Sequence, residues 1–143
     1  MDAVRLRSLV PRSIGTWLLY PCSGPAREHD AEELASVLGV EAHCIDVIRH
    51  PSHDRCDQHC WESLLDSARS GHYSMLLVSP ECTTFSPARC VKGGPPPLRG
   101  NEAPHIYWLP DLSPADKERV RIGNLLAICC AQIVETFDSL GLP

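Results

Sequence analysis

The chain has 143 residues, enough for one domain around a single hydrophobic core, and a second full domain does not fit. Its hydrophobic share of 43% and charged share of 22% are ordinary for a soluble globular protein, and no apolar run approaches the roughly 20 residues that span a bilayer. We therefore expect no membrane insertion. The formal net charge of −5 repels phosphate backbones, so a nucleic-acid binder of this composition needs a local basic patch.

Cysteine usage and the first residues indicate the compartment. No convincing signal peptide is present, so we expect reduced thiols in an intracellular protein, nuclear or cytoplasmic. Residues 1–15 are expected to be a disordered segment, whose arginines resemble an organellar transit signal only faintly. The eight cysteines are Cys22, Cys44, Cys56, Cys60, Cys82, Cys90, Cys129 and Cys130.

The first half of the chain predicts a strand, a helix and a second strand. Residues 16–22 form a short apolar and aromatic run that leads into a turn, which is typical of a buried strand. A helix is predicted over 28–38, with acids in its first turns and apolar residues at helical spacing, namely Leu34, Val37 and Leu38. The run 40–47 predicts a second strand with Asp46 at its end.

The second half predicts a helix, a third strand, a long loop and a final helix. The segment 57–70 has apolar residues at helical spacing, and 73–79 is apolar enough for a parallel strand covered on both faces. Residues 87–113 are too rich in proline and glycine for regular structure. Ser113 and Pro114 then cap and begin a helix whose apolar stripe is Val120, Leu125, Ile128, Ile133, Val134 and Phe137.

Four residues of the last helix are expected to serve packing. Gly123 would allow close approach to the sheet, and Asn124 would bond to backbone across a loop. Cys129 and Cys130 lie within the apolar stripe and are expected in the core.

This order of elements predicts a parallel α/β sheet with right-handed crossovers. Ligands of such sheets bind outside the carboxyl ends of the strands. That edge is expected to hold the Ser23-Gly24 turn, Asp46 and Cys82.

A motif after the third strand resembles a known family. It reads Pro80-Glu81-Cys82-Thr83-Thr84-Phe85-Ser86, and a "SGP" turn, "RSG", "GPPPLR" and "GNLLA" accompany it. The pattern, over roughly 16–141, is similar to Rossmann-type cytosine-5 DNA methyltransferases, most of all to a protist and phage-like subgroup. The resemblance implies a three-layer Rossmann-like parallel sheet in residues 16–143, incomplete at its carboxyl end, because the family continues with a strand ending in Glu-Asn-Pro.

The resemblance also implies roles for single residues. Cys82 would be the nucleophile that attacks the 6-position of a cytosine swung out of the duplex. Ser23 and Gly24 would line the cofactor S-adenosylmethionine, and Asp46 would accept from its ribose hydroxyls. DNA would be held by four residues of the long loop, which are Ser86, Arg89, Lys92 and Arg99.

Departures from the family pattern predict weak or absent activity. Ala26 stands where a further glycine is usual, Tyr20 and Pro21 replace an acid, and Glu81 puts a negative charge beside the proposed nucleophile.

Two alternatives remain beside the methyltransferase-like function. One is a non-catalytic remnant or interaction domain of a mobile element. The other is a small zinc-binding module, since zinc-ligand residue types cluster in the segment that contains His50, His53, Cys56, His59 and Cys60.

Overall fold

The computed structural model describes residues 17–54 and 56–143. It is a mixed α/β structure with a small parallel sheet and three α-helices, so the predicted α/β class is confirmed. The predicted disordered segment lies outside the described residues. In chain order the strands and α-helices are β1 (Trp17–Pro21), α1 (Ala31–Val37), β2 (Glu41–Ile45), α2 (Gln58–Arg69), β3 (Met75–Leu76) and α3 (Pro114–Ser139).

The sheet has three parallel strands in the order β2-β1-β3. The central strand β1 pairs along its length with β2, from Trp17 opposite Glu41 to Pro21 opposite Ile45. Leu19, in the middle of β1, has no exposed surface. Because adjacent parallel strands end at the same edge of a sheet, the residues that follow β1 and β2 are brought together there.

The third strand is shorter than the sequence predicts. It spans two residues, Met75 and Leu76, which pair with Leu18 and Leu19 of β1. Both are half-buried and Leu77 is 41% exposed, so the expectation of a long strand covered on both faces is wrong. Leu77 still donates its N–H to the carbonyl of Leu19 (2.9 Å), while the Leu76 N–H donates to the carbonyl of Pro143 (2.9 Å).

Each of the three described α-helices begins at a side-chain cap, and the sequence predicted the one of α3, Ser113. Asp30 accepts from the N–H groups of Glu32 and Glu33 at the start of α1, and Asp57 caps α2 in the same way. Ser113 Oγ accepts from the N–H of Asp116 (3.1 Å) at the start of α3. These bonds satisfy backbone donors that have no partner within the helix.

The buried faces of the helices are predicted with mixed success. The predicted face of α2 is confirmed, because Trp61, Leu64, Leu65 and Ala68 are all buried. In α1 the buried residue is Ala35, while Leu34 and Val37 are 58% and 62% exposed. The predicted stripe of α1 is therefore wrong: this short helix packs on β2 through its small side chain, and the larger neighbours turn to other faces.

The predicted stripe of α3, in contrast, is correct in part. Val120, Ile133 and Phe137 are buried, but Ile128 and Val134 are 57% and 47% exposed. Cys129 and Cys130 are buried, as the sequence predicts. By length and composition alone α3 could cross a membrane, a test that the core helix of a soluble protein also passes.

The contacts of the chain divide it into two compact units. The first unit consists of residues 17–79 together with Cys129–Pro143, and it contains the sheet, α1, α2 and the end of α3. The second unit is Pro80–Ile128. Within it the predicted irregular loop 87–113 is confirmed, since its one regular element is a 3₁₀ turn over Pro87–Cys90.

Candidate functional site

Gly24 and Asp46 meet at the carboxyl edge of the sheet, in the first unit. Gly24 follows β1 with φ of +70°, a conformation that glycine adopts at low cost, and its N–H donates to Oδ2 of Asp46 (3.0 Å). Oδ1 of the same carboxylate accepts from the N–H of Ile48 (3.1 Å). Asp46 is only 6% exposed, so its carboxylate ties the turn after β1 to the turn after β2.

Arg49 completes this turn, and sequence reasoning did not find it. Its Nε donates to the carbonyl of Gly24 (2.8 Å), and its Nη atoms pair with Asp30 (3.0 Å) and Glu32 (2.5 Å). Burial disfavours the charged guanidinium, but the hydrogen bond to Glu32 and the nearby negative charges outweigh it and raise the pKa of Arg49. The sequence did contain a signal for this role: Arg49 follows the strand-end acid Asp46 by three residues, and the preceding helix begins with acidic residues that could pair with it.

One carboxylate beside Arg49, that of Asp30, also has a shifted pKa. The pKa of Asp30 is lowered, chiefly because its carboxylate accepts from the backbone N–H groups of Arg27 and Glu33, and also through Arg49. Ser23, the other predicted cofactor residue, is half-buried, and its hydroxyl donates to the carbonyl of Gly24 (3.4 Å). The structure therefore brings together all three predicted cofactor residues, in a turn that is held by internal hydrogen bonds.

These residues do not fit S-adenosylmethionine as they are folded. A Cβ added at Gly24 would meet nothing within 4 Å, so there is space for a ligand to approach. The Gly24 N–H and the Asp46 carboxylate, however, are bonded to each other, and Asp46 is buried. A nearby cavity of about 550 Å³ has Trp17, Arg27 and Glu33 in its lining and none of the three predicted residues.

Cys82 is exposed and lies in the second unit. It follows β3 by six residues of chain and begins a turn in which the N–H of Phe85 donates to the Cys82 carbonyl (2.9 Å). The carboxylate of the neighbouring Glu81 accepts a hydrogen bond from the hydroxyl of Thr83 (2.8 Å). The backbone of the turn is thus fixed while the thiol side chain faces solvent, which leaves it open to a substrate.

The predicted DNA-binding residues have different environments. Ser86 caps the turn Pro87–Cys90 by accepting from the N–H of Ala88 (3.3 Å). Arg89 donates to the carbonyls of Thr83 (2.6 Å) and Pro96 (2.8 Å), and so joins two parts of the loop, while Lys92 is exposed. Ser86 and Arg89 therefore shape the loop that carries Cys82.

Arg99 is the most extensively bonded side chain of this unit. Its guanidinium donates to the carbonyl (3.2 Å) and hydroxyl (3.0 Å) of Thr84, to Oδ1 of Asn124 (2.7 Å) and to the carbonyl of Tyr107 (2.8 Å). It also lies 3.7 Å from the centre of the Phe85 ring. Burial lowers its pKa. This geometry holds the Cys82 loop to helix α3. The guanidinium N–H groups that could bind a phosphate already donate to protein acceptors.

Among the expected packing residues, Gly123 packs against a different partner and Asn124 bonds as expected. A Cβ at Gly123 would come within 2.6 Å of Thr84 Oγ1, so this glycine admits the Cys82 loop, where the sequence predicted an approach to the sheet. Asn124 Nδ2 donates to the carbonyl of Tyr107 (3.4 Å), as predicted.

A cavity of about 740 Å³ lies within the second unit. Its lining is mostly apolar and includes Phe85, Arg89, Leu98, Tyr107 and Ile128. The two aromatic side chains are about half exposed, at 46% and 53%. Such a cavity suits a flat apolar group with a polar edge. Cys82 is not part of its lining.

Two histidines of the zinc alternative, His50 and His53, belong to an aromatic cluster, whereas His59 is exposed on α2. His53 lies against His43 and His50, with ring centres 6.3 and 5.5 Å apart, and His43 Nδ1 is 2.5 Å from the hydroxyl of Tyr73. Within residues 17–54 and 56–143, no group of three or more His, Cys, Asp or Glu side chains is arranged to hold a metal ion. The geometry therefore gives the zinc alternative no support.

Comparison with known proteins adds no relative. No protein-family model matches the chain, and neither a curated protein nor a solved structure matches it significantly. Its function is therefore inferred from its own residues.

Proposed function

We propose that the chain is a cytosine-5 DNA methyltransferase-like domain with a Rossmann-like sheet, nuclear or cytoplasmic, in which Cys82 is the nucleophile toward cytosine. One observation carries the proposal: an exposed Cys82 stands on a tightly bonded loop that follows the third strand of a parallel sheet in the order β2-β1-β3. The bonds of Arg89 and Arg99 support it, because they hold that loop in one conformation.

The chemistry open to Cys82 is addition to a pyrimidine ring. The thiolate attacks C6 of cytosine and forms an S–C6 bond, while the electron pair of the C5=C6 bond moves toward C5 and N3. C5 then takes a proton from water. Loss of the original C5 proton and departure of the thiolate restore cytosine, so the net result is exchange of the C5 hydrogen. This cycle needs Cys82, the base and water, and no methyl donor.

Hydrogen exchange at C5 tests this proposal without the cofactor. Cytosine-containing DNA incubated with the chain in deuterated water should gain deuterium at C5, and the rate should fall to background in Cys82→Ser. Cys90→Ser is the matched control, because Cys90 is exposed in the same unit and should leave the rate unchanged. Equal rates in wild type and Cys82→Ser, with DNA bound in both, would refute Cys82 as the nucleophile.

A second candidate is a non-catalytic interaction domain that keeps the fold. The closed Gly24 turn favours it, because Asp46 is buried and bonded where a ribose would be recognised. Calorimetry with S-adenosylhomocysteine separates the two. Saturable heat that is lost in Asp46→Ala would exclude the second candidate, whereas no heat together with no C5 exchange would exclude the first.

A further inference from the structure

The first unit is assembled from two chain segments that are far apart in sequence. Residues 17–79 and Cys129–Pro143 are separated by the whole second unit. Hydrogen bonds join them: Trp61 Nε1 donates to Gln132 Oε1 (3.1 Å), and the Leu76 N–H donates to the carbonyl of Pro143 (2.9 Å). The stability of this unit therefore depends on how firmly the end of α3 is held.

A further contact between the same segments is made by two thiols. The Sγ atoms of Cys22 and Cys130 are 3.8 Å apart, in van der Waals contact, and the residues are 8% and 6% exposed. Cys22 directly follows β1, where its N–H donates to the carbonyl of Ile45 (2.9 Å), and Cys130 lies within α3. Both backbones are thus fixed by regular hydrogen bonds, and the two sulfur atoms remain adjacent.

We propose that Cys22 and Cys130 are a redox pair that forms a disulfide on exposure to a peroxide. One thiolate attacks a peroxide oxygen, the O–O bond breaks, and a sulfenic acid and water form. The second thiol attacks that sulfur, the S–S bond forms, and a second water leaves. Two thiols are oxidised and hydrogen peroxide is reduced to two waters. A disulfide S–S distance is about 2.05 Å, so the two sulfur atoms, now 3.8 Å apart, need to approach each other for the bond to form.

The bond would fasten α3 to the end of β1. It closes a loop that contains the entire second unit, and long loops are those whose unfolded entropy a cross-link reduces most. Because both thiols are buried, the reaction is expected to be slower than oxidation of the exposed Cys82 and Cys90. The reduced chain is the ordinary state, and oxidation adds a covalent tie where thiol contact already exists.

The test uses the full chain with its four more accessible cysteines, Cys56, Cys60, Cys82 and Cys90, replaced by serine. After treatment with hydrogen peroxide and alkylation, non-reducing peptide mapping should show Cys22 joined to Cys130 with the loss of two hydrogens. The urea midpoint of the oxidised chain should be higher than that of the reduced chain, and dithiothreitol should reverse this shift. Cys129→Ser is the matched control and should keep the cross-link, whereas Cys130→Ser should abolish it.

Two outcomes would overturn the proposal. One is a set of disulfides spread over all pairs of the four remaining cysteines, in the same proportions as in the chain oxidised while unfolded in urea. The other is persistence of the Cys22 cross-link in Cys130→Ser. The peptide map of the chain with the four replaced cysteines retains both Cys22 and Cys130. The proposal therefore stays testable even if the Cys129→Ser or Cys130→Ser variant folds poorly.

Discussion

Arg99 shows how one side chain can organise a region without regular structure. Its guanidinium collects acceptors from Thr84, Tyr107 and Asn124, which lie far apart in sequence within the second unit. A planar group with five donors can satisfy such a set, and a lysine ammonium cannot. The sequence marked Arg99 as a cation but gave no sign of which acceptors would surround it.

We expect Arg99→Lys to destabilise the second unit by about 2–4 kcal/mol, since several half-buried acceptors lose their donor at once. Hydrogen exchange of the amides between Thr84 and Leu109 should accelerate accordingly. Arg119→Lys is the matched control, because Arg119 makes an exposed pair with Asp116, and it should change stability by less than about 0.5 kcal/mol. An equal effect of both substitutions would contradict this role.

His43 gives the first unit a dependence on pH. Burial lowers its pKa below the usual 6.5, and electrostatic repulsion from His53 and His72 lowers it further. Tyr73, its neighbour, has its pKa raised by burial to about 12 and stays neutral. A histidine with a depressed folded pKa stabilises the fold above its unfolded pKa, and this contribution is lost as the pH falls from about 6.5 through the folded value.

The urea midpoint should therefore be lower at about pH 5.5 than at about pH 7.5. In His43→Asn, which keeps a polar group but cannot titrate, part of this difference should disappear. The control His59→Asn changes an exposed histidine of α2 and should leave the difference between the two urea midpoints unchanged. A pH dependence that is identical in His43→Asn and wild type would contradict the prediction.

Helices α1 and α3 show that periodicity identifies an element more securely than its buried face. The spacing of Leu34 and Val37 correctly predicted a helix, yet both side chains are mostly exposed, because α1 packs through Ala35. Gly123 in α3 is a related case. Glycine lowers helix propensity, and the loop residue that requires its small size, Thr84, is 39 positions away in sequence.

Gly123→Ala should destabilise the second unit although alanine is the better helix former by about 1 kcal/mol. The new Cβ would meet Thr84 Oγ1 at 2.6 Å, and this β-branched side chain, bonded to Arg99, has little freedom to move. In a Thr84→Ala background the same change should be neutral or stabilising. A double-mutant cycle by urea unfolding measures the difference, and additive effects would rule out the clash.

At the scale of the whole molecule, charge limits any contact with DNA. The formal net charge is −5, and of the three predicted cationic contacts Arg99 is turned inward. With Arg89 and Lys92 as the phosphate contacts, the logarithm of the affinity for duplex DNA should fall against the logarithm of salt with a slope of about −1.8. Fluorescence anisotropy over a salt series measures the slope.

Replacing both Arg89 and Lys92 by alanine should bring that slope close to zero, while Lys117→Ala, on the exposed face of α3, should not change it. A slope of about −2.7 would instead count Arg99 as a third phosphate contact and contradict its internal role. Absence of binding at low salt would refute DNA as a partner.

By itself the sequence determined the element order, the parallel sheet, the cap of α3 and the buried face of α2, because these follow from local spacing and from side chains within a few residues. It also brought Gly24 and Asp46 to one edge, since parallel neighbours end there. Only the tertiary structure decided that these two bond to each other, that Arg99 turns inward, and that Cys22 touches Cys130. Each is a contact between distant segments, and such contacts depend on how elements pack, which local patterns do not encode.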